Sequence, residues 1–320
     1  MSNKSKEVVI VSAIRTPIGK FRGSLKNIRS YQLGSIVIKE VLNKSKFKNE
    51  EIDEVIMGQV LTAGTGQNPA RQAAIKAGIP FSKPAHVINQ VCGSGLRAVI
   101  SGYQSIKLGE SNNIISGGQE SMSLAPHSIF YRDKKKISED KLLDTMVFDG
   151  LIDAFNNYHM GVTAENIAKK FNITRQEQDE FALKSQKKTE LAITLEKFHD
   201  ELVKINHDGN ILNIDEHPRI GLKMSDLDKL KTVFQDDGTI TPGNSSGIND
   251  GAAALLLTTS EEAEKKSIKP LVKIVSWSSV GVDPSVMGLG PIEAVREASK
   301  KAKWNLDEID LFEINEAFAS

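Results

Sequence analysis

The feature that most limits how this chain can fold is a repeat. Lys46-Phe47 and Glu51-Ile52-Asp53 recur as Lys303-Trp304 and Glu308-Ile309-Asp310, 257 positions further on. Lys39-Glu40 and Arg296-Glu297 stand at the same spacing. The run VVIVS at 8–12 also resembles VKIVS at 272–276, at a slightly different spacing that loop lengths can absorb. A single match of short charged strings is commonplace. Three at one spacing, all in a helix–loop–strand context, argue for a duplicated unit. In the first copy a strand at 54–57 leads through a long connection to Cys92, which opens a helix. In the second copy the strand falls at Leu311–Ile314, and the counterpart of Cys92 would lie beyond Ser320. The second repeat is therefore expected to be incomplete.

Around the repeat, short apolar runs alternate with helical patterns. Val8–Ser12, Glu54–Met57, Ala85–Ile88, Asn113–Ser116 and Gly251–Thr258 read as strands. Residues 31–45 and 94–108 carry apolar side chains at helical spacing. This alternation predicts an α/β layered fold with a mainly parallel sheet. Residues 121–240 are more polar and lysine-rich, with helices expected at Ala164–Phe171 and Arg175–Phe198. Thr174 and Glu177 form a capping-box signature before the second. The expected organisation is an N-terminal domain of 1–120 plus 241–268, an inserted lobe at 121–240, and a partial C-terminal domain at 269–320.

Composition narrows the function. A formal net charge of +0 offers no electrostatic hold on nucleic acid or an anionic membrane. No run approaches the ~18 apolar residues of a membrane-spanning helix. The N-terminus, MSNKSKEVVIVSAIRTP, reads as a short tail and a strand, not as a secretory signal. The chain has one cysteine, so it cannot form an internal disulfide, which fits a reducing compartment. A cytoplasmic protein is expected. The six histidines show no metal-ligand spacing, and no metal is expected.

The lone cysteine sits in HVINQVCGSGLRAVI (86–100), between an apolar strand and a helix start. A helix N-terminus favours a thiolate. Outward-pointing N–H groups of Cys92, Gly93 and Ser94 would stabilise an oxyanion. Gly93 and Gly95 allow a sharp turn and close substrate approach. Most lone cysteines are small buried apolar residues. On these residues alone a structural and a reactive cysteine both stand.

The longer pattern resembles the thiolases. It comprises RTPIGKF (15–21), GQV and NPARQAA within 58–74, NQVCGSGLRAV (89–99), GGQESMS (117–123), YHMGVTAEN (158–166), GNSSGINDGAAA (243–254), MGLGP (287–291) and NEAFA (315–319). These motifs run in order along essentially the whole chain, and HMG before TAEN is most like the biosynthetic acetoacetyl-CoA members. The resemblance implies a duplicated α/β/α layered fold with an inserted loop lobe. It also implies reversible Claisen condensation of two acetyl-CoA to acetoacetyl-CoA and CoA through an acyl-cysteine. The resemblance further implies CoA thioesters as substrates and no cofactor. Family enzymes are homodimers or homotetramers built on the N-terminal half.

Residue by residue, the resemblance makes Cys92 the nucleophile and Asn315 the group that fixes an oxyanion-hole water. His159, Met160, Leu151, Met287 and Phe318 would line the acyl pocket. Ser246 would touch the pantetheine arm, and Arg219 the adenine and phosphate end of CoA. Without the motifs these are ordinary residues: Asn315 and Ser246 turn residues, Arg219 a solvated charge, and the apolar ones core.

The family also uses a histidine in a GHP motif and a second cysteine in CxGGG, and neither motif occurs in these 320 residues. General acid–base groups contribute ~10²–10⁴-fold, so the resemblance implies strongly reduced turnover for these residues alone. The alternatives are a degradative 3-ketoacyl-CoA thiolase and an inactive fragment that binds CoA or other subunits.

Overall fold

The computed structural model describes residues 7–132, 138, 141–207 and 209–320. In chain order the elements are β1 (Val8–Arg15), β2 (Gly19–Lys20), α1 (Ser30–Lys44), β3 (Glu54–Gly58), α2 (Pro69–Lys76) and β4 (Ala85–Ile88). Next come α3 (Ser94–Leu108), β5 (Ile114–Ser121), β6 (His127–Ser128), β7 (Leu143–Asp144), α4 (Thr145–Gly150), α5 (Met160–Phe171) and α6 (Arg175–Thr194). The chain continues with β8 (Ile205–His207), β9 (Asn210–Leu212), α7 (Met224–Leu227), β10 (Asn249–Thr259), α8 (Ser260–Lys265), β11 (Val272–Lys273) and α9 (Gly290–Ala302). Two compact units result. The first comprises residues up to Gly150, His199–His217 and Ile248–Ile274; the second Leu151–Phe198, Pro218–Gly247 and Val275–Ser320. The stretch 121–240 is thus shared between the units.

The first unit is built on a sheet in the order β11-β1-β10-β5-β3-β4, with β2 paired to β10. The sheet is mixed, not mainly parallel. β3 runs parallel to β4 and β5, whereas β10 runs antiparallel to β1 and β5. The reason lies in the long excursion between β5 and β10, after which the chain returns from the opposite end. β1 shows the layering: Val9 and Val11 enter the core under α1 and α2, and Val8 enters the core under α3. The α1 core holds Leu33, Val37, Ile38 and Val41, all fully buried. The α3 core joins Ala98 and Ile106 to Ile56, Ile114 and Leu257. Burying one such side chain contributes about 1.5–3 kcal/mol, so helices on both faces are what hold a sheet apolar on both sides.

Arg15 fastens a later segment to this sheet. Its guanidinium bonds Glu201 at 2.5 Å and Asp215 at 2.7 and 3.0 Å. Asp215 also accepts the Ile18 N–H. The β8–β9 hairpin between them contributes Ile205 and Leu212 to the α1 core.

In the second unit α5 begins at Met160, earlier than its apolar pattern predicts, because the His159 side chain caps it. The capping box at Thr174 and Glu177 forms as read: Glu177 Oε2 accepts the Thr174 N–H at 2.7 Å, and Thr174 Oγ1 accepts the Glu177 N–H at 3.2 Å. α6 ends at Thr194, four residues before the predicted end, where Glu196 takes a left-handed φ of 51°.

The repeat is visible in the backbone. The 3₁₀ turns Asn49–Glu51 and Leu306–Glu308 correspond at the repeat spacing. Each is closed by its glutamate: Glu51 accepts the Lys48 N–H and Glu308 the Asn305 N–H. The copies then diverge. β3 is paired on both edges, but the predicted strand at Leu311–Ile314 does not form. That segment has no neighbouring strand among the described residues of its unit, and without ladder partners an extended run is not a strand.

Candidate active site

Cys92 lies in the first unit, in a tight turn between β4 and α3, and it is solvent-exposed. The turn is held from inside by Ser94. Its hydroxyl accepts the Gln90 N–H at 2.8 Å and donates to the Val91 carbonyl at 2.6 Å. Val91 has φ of 48°, a left-handed conformation that a β-branched side chain strongly resists. Such strain persists only where its surroundings over-determine it, and Ser94 supplies that constraint next to Cys92.

The N–H groups at the helix start are not all free as expected. Gly93 N–H donates to the Gln90 carbonyl and Ser94 N–H to the Val91 carbonyl, both at 3.0 Å. The turn consumes them to hold its own shape.

Two glycine positions belong to the motifs flanking Cys92. A Cβ on Gly58, the last residue of β3, would lie 2.3 Å from the Ser94 carbonyl carbon. A Cβ on Gly118 would lie 3.4 Å from Gly95 Cα. The end of β3 therefore passes directly beneath the start of α3 because Gly58 lacks a side chain, whereas at Gly118 a Cβ would make only ordinary van der Waals contact.

Next along β5, Glu120 Oε2 accepts the N–H groups of Val60 at 2.8 Å and Leu61 at 3.4 Å. Burial pushes this carboxyl up to about 7, with neighbouring Asp250 adding to the effect. Asp250 is itself raised by burial, although it accepts two bonds from Ser123.

The other expected site residues lie in the second unit. Met160 N–H donates to the Leu151 carbonyl at 2.8 Å. His159 Nδ1 accepts the Gly161 N–H at 3.0 Å, so its proton is on Nε2. Burial lowers the His159 pKa and keeps the ring neutral. The imidazole stacks on Phe234 at 4.6 Å and 20°, and Phe318 meets the same ring edge-on at 6.2 Å. Gly161 makes this packing possible, because a Cβ there would lie 2.2 Å from the Phe234 ring. Sequence reading missed Phe234, a single aromatic residue in the polar stretch KTVFQDD whose only signal is its isolation.

Ser246 is exposed, and its N–H donates to the Ala317 carbonyl at 2.9 Å. Ala319 N–H donates to the Asn244 carbonyl, and Ser245 bridges to Phe318. The GNSSG loop and the NEAFA segment are thus laced together, with Asn315 exposed at the start of that segment. Met287 is half-buried in the 3₁₀ helix Pro284–Leu289, whose Ser285 carbonyl accepts a bond from Asn166 on α5. Arg219 directs Nη2 to the Pro242 carbonyl at 3.2 Å. Among the described residues, no group of three or more His, Cys, Asp or Glu side chains is arranged to hold a metal ion. No helix among them is long and apolar enough to cross a membrane.

The chain can now be set beside known proteins. The family profile described as "Thiolase, N-terminal domain" matches residues 8–261, and "Thiolase, C-terminal domain" matches 268–320. A Rhizobium meliloti acetyl-CoA acetyltransferase is 51% identical over 100% of this chain and 82% of its own length. A Rattus norvegicus protein named "Acetyl-CoA acetyltransferase, cytosolic" is 50% identical over the same shares. The crystal structure of a Bacillus anthracis acetyl-CoA acetyltransferase superposes with a TM-score of 0.95 at 39% identity, over 99% of this chain and 82% of that one. With profiles that together span nearly all of the described chain, and the exposed cysteine held at a strained helix start, the chain belongs to the thiolase family.

Proposed function

We propose that the protein is an acetyl-CoA C-acetyltransferase that interconverts two acetyl-CoA with acetoacetyl-CoA and CoA. The observation that carries this reading is Cys92, exposed on a turn whose shape Ser94 fixes, in a chain about half identical to proteins named for this activity. The Cys92 thiolate attacks the acetyl-CoA carbonyl, forming the Cys92 thioester and expelling the CoA thiolate. A second acetyl-CoA loses an α-proton, which ends on the expelled CoA thiolate to give free CoA, and its enolate carbon attacks the Cys92 thioester. Acetoacetyl-CoA forms and the Cys92 thiolate is returned. The condensing enolate is assigned to a water held by Asn315. Neutral His159 presents Nε2–H as a donor, and Leu151, Met160, Met287 and Phe318 shape the acyl pocket beside it. Ser246 and Arg219 serve the pantetheine arm and the nucleotide end of CoA. No cofactor takes part.

We further assign the protein to the cytoplasm, as the rat relative's name supports. We assign it a homodimer or homotetramer built on the first unit. There β4 is one of the two edge strands of the sheet among the described residues, and Phe81, just before it, is 80% exposed. An exposed edge strand is a template for pairing with another chain. The test is thiolysis of acetoacetyl-CoA by CoA, followed by loss of acetoacetyl-CoA absorbance. Activity that Cys92→Ala abolishes supports the reading. Activity that survives this change overturns it.

A further inference from the structure

α6 is an unusual helix. Its buried residues are Gln178 and Asp179, both polar, and it carries no continuous apolar stripe. Amphipathic helices normally pack by an apolar face, so the polar contacts of α6 need another account.

Asp179, Gln186 and Glu190 stand at i, i+7 and i+11, a spacing that places them on one face. Asp179 holds the Asn244 loop of the second unit, and Gln186 and Glu190 together hold the Arg219–Gly221 segment. Asp179 is 2% exposed, and its Oδ1 accepts the Asn244 Nδ2 donor at 2.9 Å. Its other oxygen accepts Arg175 Nε at 2.6 Å, which fixes the carboxylate. Asn244, 3% exposed, also donates to the Thr239 carbonyl and accepts the Thr241 N–H. The backbone carbonyl of Asn244 then takes the Ala319 N–H at 2.9 Å. Gln186 Oε1 accepts the Arg219 N–H at 2.9 Å, and Glu190 accepts the Gly221 N–H at 3.3 Å. Flanking the stripe, Ser185 Oγ donates to Glu316 in NEAFA at 2.6 Å.

We propose that the polar face of α6 is the positioning device of the substrate side. Asp179 sets the Ser246 loop and the Asn315–Phe318 segment through Asn244, and Gln186 sets Arg219. These are positioning residues, and the assignment rests on the acetyltransferase reading given above. An apolar face could bury the same area, but it would not fix the register of three separate loop backbones. Directional bonds to N–H and amide groups do.

The test combines amide hydrogen exchange with kinetics. In Asp179→Ala, exchange at Ser246 and Ala319 should quicken about tenfold or more, the size expected for losing a hydrogen bond to a charged group. The kcat/KM for thiolysis should fall by a similar factor, while Cys92 alkylation by iodoacetamide keeps its wild-type rate. Gln186→Ala, at a partly exposed position that leaves the fold intact, should quicken exchange at Arg219 and raise the KM for CoA with little change in kcat. Gln186→Glu retains an acceptor oxygen and should restore both. Gln176→Ala, on the solvent side of the same helix, should change neither. Unchanged exchange at Ser246, Ala319 and Arg219 in these variants would overturn the proposal. The exchange readout needs no turnover, so failure of the positioning claim is separable from failure of the acetyltransferase reading.

Discussion

The His159 imidazole lies flat on the Phe234 ring, centroids 4.6 Å apart, with Nδ1 held by the Gly161 N–H. Stacked pairs of this kind contribute about 0.5–1.5 kcal/mol beyond the area they bury. The same contacts leave one ring nitrogen, Nε2, to carry the proton outward. Nitrogen NMR of labelled protein should therefore show the Nε2–H tautomer. The lowered pKa should keep it neutral somewhat below the usual histidine range. Phe234→Ala should reduce stability by about 3 kcal/mol and allow the imidazole to titrate nearer its ordinary pKa. A protonated His159 at neutral pH would contradict this arrangement.

Ser94→Ala removes both hydroxyl bonds to the Val91 turn and leaves its backbone bonds in place. The expected loss is about 1–2 kcal/mol in chemical denaturation. Iodoacetamide alkylation of Cys92 should also change rate, because the turn would relax from its left-handed conformation. Ser94→Ala with wild-type stability and an unchanged alkylation rate would show that the turn is held by something else.

Glu120 makes stability depend on pH. Its pKa rises from 4.5 to about 7 on folding, so between these values the folded chain holds a proton that the unfolded chain has released. Its contribution is fully present below pH 4.5 and is lost as pH rises through about 7. The shift corresponds to at most about 3 kcal/mol. Glu120→Gln keeps an acceptor for Val60 and Leu61 but cannot ionise, so its stability should vary less across this window. Urea unfolding at a series of pH values decides the point: parallel curves for the two proteins would refute it.

Leu311, Phe312 and Ile314 are 81%, 47% and 48% exposed in a segment without ladder partners among the described residues of its unit. Exposed apolar segments of high β-propensity are prone to self-association. Leu311→Lys combined with Ile314→Lys should lower light scattering on concentration, with no loss of helical circular dichroism. Unaltered scattering would place the association elsewhere.

How much of this was legible in the chain depends on whether a feature is local. Cap chemistry at Thr174, the start of α3 at Ser94 and the apolar run of β3 are encoded within a few residues, and each forms where the pattern places it. β10 reads as a strand from its composition, but its antiparallel direction depends on where the preceding excursion returns. The 3₁₀ turns of the two repeats share a local glutamate cap, so both form. The strand after the first needs β4 and β5 beside it, and Leu311–Ile314 has no such neighbours among the described residues of its unit. At the site, motif residues were readable but their partners were not. Asp179 and Asn244 are 65 positions apart, and Arg15 and Asp215 are 200 apart. Nothing in either local sequence names the other.

The most direct test of the central claim is the intact mass of the protein after brief exposure to acetyl-CoA, with peptide mapping under acidic conditions that preserve thioesters. The account predicts one acetyl group, located on Cys92, removed by added CoA and absent from Cys92→Ser. An unmodified Cys92, or an acetyl group carried on another residue, would contradict it.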